Sequence, residues 1–183
     1  HVSLVGSEMC IRDSACAQKN FGPSGITLVI AKKELLEKSN TDLPNILKYD
    51  AHANEGSMLN TPNTFGWYVA GKMFDWYLEN GGVAEMEKQS MAKTAILYEL
   101  IDKSDFYINP VNPKQRSINN VVFTIVNSEL EKVFLQEAEK ADFKYLKGHR
   151  SVGGMRASIY NPMKIESVFA LKEFMENFEK NYG

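Results

Sequence analysis

From residue 83 to the last residue, segments with helical apolar spacing take turns with short β-branched runs, and this alternation restricts the fold more than any other feature. Residues 83–103 carry Met91, Ala95, Tyr98 and Ile101 on one face of a predicted helix. Residues 105–108 and 119–126 read as strands, the second through Val121, Val122, Phe123, Thr124 and Ile125. Ser128 and Glu131 have capping-box spacing and open a predicted helix to about Ala141, with Leu130, Val133, Phe134 and Ala138 toward a core. Residues 143–146 and 155–160 are predicted strands around a glycine-rich loop. Asn161 and Pro162 are predicted to begin a last helix in which Ile165, Val168, Leu171, Met175 and Phe178 keep helical period. A small sheet covered by helices, an α+β unit, is the architecture such a series predicts.

Upstream the pattern is sparser. Gly22-Pro23-Ser24-Gly25 marks a turn, and the β-branched run from Ile26 to Ile30 reads as a buried strand. Residues 31–38 read as a brief helix and 39–63 as a long loop. Phe65, Tyr68, Val69, Met73, Phe74, Trp76 and Tyr77 lie at helical spacing, so residues 64–80 read as a core helix stopped by Gly81-Gly82. The run from Leu4 to Asp13 has neither period and resembles the translation of an adapter used to prepare sequencing libraries. Residues 1–14 are therefore set aside as non-native, and Cys10 carries no meaning on that expectation; Glu8, Arg12 and Asp13 interrupt any signal-peptide core.

Composition excludes several function classes. Lys plus Arg number 21 against 23 Asp plus Glu, a net charge of -2, so no basic field exists to hold nucleic acid. No stretch approaches the ~20 apolar residues of a membrane span. Cys10 and Cys16 cannot make a disulfide framework and lack the second half of a zinc site, so no metal is expected and a reducing cytoplasm fits.

Three segments could carry chemistry. In Gln18-Lys19-Asn20-Phe21-Gly22, one lysine sits just before a tight turn, and a neutral amine can condense with an aldehyde. Solvated surface is the ordinary fate of a lysine. Gly148-His149-Arg150-Ser151-Val152-Gly153-Gly154-Met155-Arg156 sets two guanidiniums and an imidazole about a glycine pair. Guanidinium forks match carboxylates and phosphates, so the loop suits a small dianion; a solvated hairpin tip is the alternative. Asn60-Thr61-Pro62 offers polar groups to a phosphate, or simply caps a helix.

Together these segments resemble the phosphoserine aminotransferase family, pyridoxal-phosphate enzymes of the aspartate-aminotransferase fold type. The resemblance runs from Ala15 to Gly183 and includes Ala17-Gln18-Lys19-Asn20, Asn60-Thr61-Pro62, Asn80-Gly81-Gly82, Arg116-Ser117-Ile118-Asn119-Asn120 and the 148–161 block. It implies that Lys19 carries pyridoxal 5'-phosphate and moves the substrate proton, and that Gln18 bonds the cofactor phosphate. Asn60 and Thr61 would reach the cofactor of the neighbouring subunit in a homodimer. His149 and Arg150 would receive the distal phosphate or carboxylate, and Arg156 the α-carboxylate. The implied reaction passes an amino group between glutamate and 3-phosphohydroxypyruvate, giving 2-oxoglutarate and phosphoserine in serine biosynthesis, with a related step of pyridoxine synthesis open. Asn63 and Cys16 depart from the family pattern.

The resemblance also implies that the chain is the carboxy-terminal part of an α/β aminotransferase fold, with an incomplete large domain. Residues 15–84 are expected to be a remnant of the cofactor-binding domain, and 85–183 the α+β small domain. The family's amino-terminal half supplies the ring that stacks on the cofactor and the aspartate that pairs with its pyridinium nitrogen. The chain alone is accordingly expected to be inactive. Two other readings are a non-enzymatic anion-binding domain and a transaminase of this fold with another substrate.

Overall fold

The computed structural model describes residues 12–38 and 42–183, which fall into two compact units divided between Glu79 and Asn80. In the first, β1 (Arg12–Cys16) pairs antiparallel with β2 (Thr27–Ala31), with Arg12 opposite Ala31 and Cys16 opposite Thr27. A single 3-10 turn, Ala17–Lys19, leaves β1. Short helices α1 (Lys33–Leu36) and α2 (Tyr49–Asn54) precede α3 (Thr64–Glu79).

Two expectations change here. Arg12, Asp13 and Ser14, the described part of the segment set aside as non-native, pair with β2 through their backbones, which bears on their fold and not on their origin. Cys10 and the run from Leu4 to Ile11 lie outside the described residues. The strand expected to be buried is exposed, with Leu28 at 45% and Ile30 at 55%, because among the described residues β1 is its only partner. Helix α3 forms where expected, yet its buried positions are Gly66 and Ala70, while Phe65 and Leu78 are exposed. Large apolar side chains at helical spacing establish a helix; which face is covered depends on what packs against it.

The second unit holds α4 (Gly82–Lys103), β3 (Tyr107–Ile108), β4 (Asn120–Ile125), α5 (Leu130–Lys140), β5 (Met155–Ser158) and α6 (Ile165–Tyr182). The strands form one antiparallel sheet in the order β3-β4-β5, with Val121 opposite Ala157 and Phe123 opposite Met155. Alternation along β4 sends Val121, Phe123 and Ile125 inward, where they meet Leu97, Phe134, Met175 and Phe178. The Phe134 ring stands edge-on to Phe123 at 5.7 Å and to Phe178 at 5.0 Å, the arrangement aromatic quadrupoles favour. The Tyr107 hydroxyl donates to the Met175 carbonyl at 2.9 Å, and burial pushes that phenol well above its ordinary range.

Local chemistry moves several boundaries. The buried face of α4 is Met86, Ser90, Lys93, Thr94, Leu97, Leu100 and Ile101; Met91 and Ala95 face away. Polar residues hid that stripe, since Ser90, Lys93 and Thr94 are buried with hydrogen-bond partners. Helix α5 starts without the capping box: Asn127 Oδ1, not Ser128, accepts from the Glu129 amide at 3.1 Å. Residues 143–146 are no strand, since Asp142 and Tyr145 take left-handed backbone angles (φ 65° and 62°). Helix α6 begins at Ile165 rather than Pro162, because residues 160–163 form a turn whose carbonyls hold the Lys93 ammonium.

Candidate functional site

Gln18 and Lys19 are both exposed on the 3-10 turn, which follows directly on β1. Three amides, those of Asn20, Phe21 and Gly22, converge on the Ala17 carbonyl at 3.0, 3.0 and 3.2 Å. Ala17 itself is wholly buried, and its amide donates to the Ile26 carbonyl at 3.0 Å. The turn is thus anchored at its first residue and presents Lys19 at its last.

Asn60 and Thr61 are exposed on the segment leading into α3, where the Asn60 side-chain amide donates to the Thr61 carbonyl at 3.2 Å. The cap of α3 is Asn63, whose Oδ1 accepts from the Gly66 amide at 3.0 Å. Asn60-Thr61-Pro62 is therefore not the cap, and Asn63, a departure from the family pattern, has a structural task.

In the second unit the glycine-rich loop is closed by its own backbone. The Val152 and Gly153 amides both donate to the His149 carbonyl at 2.9 Å, and Gly148 donates to the Gly154 carbonyl at 2.8 Å. Gly154 has φ 62°, and a Cβ there would lie 2.8 Å from the Phe123 carbonyl oxygen, so glycine is required. His149 Nδ1 lies 2.7 Å from Ser151 Oγ and accepts from the Ser151 amide at 3.3 Å. Ser151 thus occupies Nδ1 and leaves Nε2 without a hydrogen-bond partner among the described residues. Arg150 is exposed beside it.

Arg156 sits on β5, its amide donating to the Leu146 carbonyl at 2.6 Å. Its side chain is half-buried, and Nε is buried without a hydrogen-bond partner among the described residues. It borders a hollow of about 680 Å³ whose walls include Phe143, Leu146, Ile159, Tyr160 and Leu171. A half-buried guanidinium with an unspent N–H has a donor left to offer an anion. Lys19 and Arg156 belong to different units.

Among the described residues no group of three or more His, Cys, Asp or Glu could hold a metal, and no helix is long and apolar enough to cross a membrane. The polar groups present match an aldehyde cofactor bearing a phosphate: one amine on an anchored turn, an amide beside it, and a separate amide and hydroxyl pair.

A mixed α/β chain with small sheets and this set of side chains matches a known class of enzyme folds, and the pattern of class-V aminotransferases fits residues 13–171; the chain belongs to that family. Among curated relatives, phosphoserine aminotransferase of Acinetobacter baylyi is 53% identical over 169 residues, 92% of this chain and 47% of the relative. The solved phosphoserine aminotransferase of Bacillus circulans subsp. alkalophilus superposes with a TM-score of 0.89 at 42% identity, over 94% of this chain and 48% of that one. The PLP-bound phosphoserine aminotransferase of Trichomonas vaginalis gives 0.83 at 35% identity, over 92% and 48%. The chain spans about half the length of the relatives it matches.

The sequence did not single out Asn63, Lys93 or Tyr77, whose hydroxyl donates to the Asn20 carbonyl at 2.9 Å, as residues that shape these segments. Tyr77 was hidden within an apolar stripe, and Lys93 among the surface lysines that a lysine-rich chain displays.

Proposed function

We propose that this chain is the carboxy-terminal half of a phosphoserine aminotransferase, with residues 15–84 contributing to its cofactor-binding domain and 85–183 forming its small domain. The observation that carries this is the 53% identity sustained over 169 residues, a span that includes both the lysine turn and the guanidinium loop. Pyridoxal phosphate, when bound, supplies the electron sink that lets an amino group leave one carbon skeleton for another. Lys19 holds it and takes and returns the proton at the substrate α-carbon. Gln18 donates to its phosphate, and Asn60 and Thr61 do so across a homodimer. Arg156 receives the α-carboxylate with its unspent N–H, while His149 Nε2 and Arg150 receive the distal phosphate of 3-phosphohydroxypyruvate or the side-chain carboxylate of glutamate. The protein's share of catalysis is then placement and charge. Serine biosynthesis in the cytoplasm is the corresponding role, with pyridoxine synthesis a second use of the same site.

On this reading the chain alone turns nothing over. The test is a chimera that joins the amino-terminal half of the Acinetobacter baylyi relative to residues 15–183. Pyridoxal phosphate followed by borohydride should label that protein stoichiometrically at Lys19, and phosphoserine with 2-oxoglutarate should yield glutamate. Labelling spread over many lysines, without turnover, would reject the reading.

A further inference from the structure

The lysine turn is docked along one stripe of α3. Gly66, Ala70, Phe74 and Tyr77 follow one another at helical spacing, and they meet Ile26, Gly22, Phe21 and Asn20 in the opposite order. A Cβ on Gly66 would stand 2.9 Å from Ile26 Cγ1, and one on Gly22 3.3 Å from the Ala70 methyl, so both backbones approach as closely as side chains allow. The Phe21 and Phe74 rings stack at 5.6 Å. At the end nearest Lys19 the contact turns polar: the Tyr77 hydroxyl lies 2.9 Å from the Asn20 carbonyl and 2.8 Å from Asn20 Oδ1, donating its one proton toward both.

This polar end matters because the turn is poorly held by itself. Its three amides share one carbonyl oxygen, which has two lone pairs, and a 3-10 turn has indifferent hydrogen-bond geometry to begin with. The Asn20 carbonyl lies in the peptide that leads on to Phe21, and Oδ1 is on the Asn20 side chain, so the Tyr77 hydroxyl holds residue 20 by two groups on its Cα; Lys19 is bonded to that residue directly, and fixing it limits how the lysine can leave the turn. We propose that Tyr77 is a positioning residue for Lys19, its hydroxyl clamping Asn20 so that the lysine leaves the turn in one direction. The proposal rests on the reading of Lys19 as the cofactor-bearing lysine.

Tyr77→Phe keeps the ring and removes the hydroxyl. In the chain itself, hydrogen exchange followed by mass spectrometry should show residues 17–22 exchanging about tenfold faster in Tyr77→Phe, with the α3 segment 66–75 within about twofold of the parent. Asn20→Ala, which spares the carbonyl acceptor, should accelerate the same peptide less. Tyr68→Phe, an exposed tyrosine of the same helix, should leave it unchanged. In the chimera, Tyr77→Phe should slow borohydride-trapped labelling of Lys19 by pyridoxal phosphate at least about fivefold. Unchanged exchange at 17–22, or a uniform rise across the first unit, overturns the clamp. Faster local exchange with undiminished Lys19 labelling makes Tyr77 merely structural and equally overturns the proposal. A parent chimera that does not label Lys19 rejects the cofactor reading, and the positioning role with it, whatever the exchange shows.

Discussion

The ammonium of Lys93, buried on α4, donates to the carbonyl oxygen of Tyr160 at 3.1 Å, and at the same distance to those of Asn161 and Met163. Three carbonyls of the turn before α6 thus converge on three N–H bonds, and the turn they hold contributes Tyr160 and Met163 to the wall beside Arg156.

Lys93→Met should destabilise the protein by about 1–3 kcal/mol in urea titrations at neutral pH, because it removes three hydrogen bonds from the turn and leaves the Tyr160 carbonyl with the Met163 amide. The pH dependence has a definite sign. Desolvation lowers the folded-state pKa of Lys93 below 10.5, so the unfolded chain holds the extra proton between the lowered value and 10.5. The stability advantage of the parent over Lys93→Met should therefore grow as pH rises through that window. A difference that is flat, or that shrinks, would show that burial leaves the ammonium unpenalised.

The Arg116 guanidinium forks onto Asp102 at 2.6 and 2.7 Å and lies over the Tyr98 ring at 4.8 Å. The hydrogen bond from Arg116 is the main reason that the Asp102 carboxyl falls below its usual 3.8. That contribution is present above the ordinary carboxylate value and is lost as pH falls through the depressed one. Asp102 is about half exposed, at 49%, so solvent screening holds the effect to ~1 kcal/mol or less. Asp102→Asn should cost about that at neutral pH and nothing once acid has protonated the parent carboxyl, as chemical denaturation across that range would show.

Residues 80–183 contain their own aromatic core, and a polypeptide of that span should melt as one cooperative transition. Phe134 touches Phe123, Phe174 and Phe178 and is wholly buried. Phe134→Ala should cost about 3–5 kcal/mol, read as a lowered urea midpoint with little change in slope. A broad, non-cooperative melt of the parent span would place the boundary elsewhere.

How much of this was legible beforehand depended on whether the determining interaction was local. Amphipathic period located α3 to α6, and in α5 and α6 it picked out Phe134, Val168, Leu171, Met175 and Phe178, because packing against one sheet needs little more than spacing. The face of α4 was misjudged because Lys93 buries its charge through carbonyls 67 to 70 residues away, which no window of sequence displays. Tyr145 looked like part of a strand, yet its left-handed backbone forbids one. At the candidate site, residue types alone left Lys19 and the loop of His149, Arg150 and Arg156 between a site and solvated surface, and only the resemblance assigned them roles. The partners that aim them, Tyr77 on Asn20 and Ser151 on His149, were visible only in three dimensions.

The last prediction concerns substrate choice in the chimera. Arg156 should be needed for every amino-acid substrate, because each has the α-carboxylate that its unspent N–H receives. Arg150 should matter only as far as a distal anion is there to hold. Truncating an arginine that pairs with a desolvated anion costs ~2–5 kcal/mol, or roughly 30-fold to several thousand-fold in catalytic efficiency. Arg150→Ala should lose most of that range with phosphoserine and glutamate and far less with alanine, whereas Arg156→Ala should penalise all three alike. Each comparison is a ratio of kcat/KM values within one variant, so a general loss of folded protein cancels. Equal losses for alanine and phosphoserine in Arg150→Ala would mean that the loop closed by the His149 carbonyl serves only to turn the chain into β5.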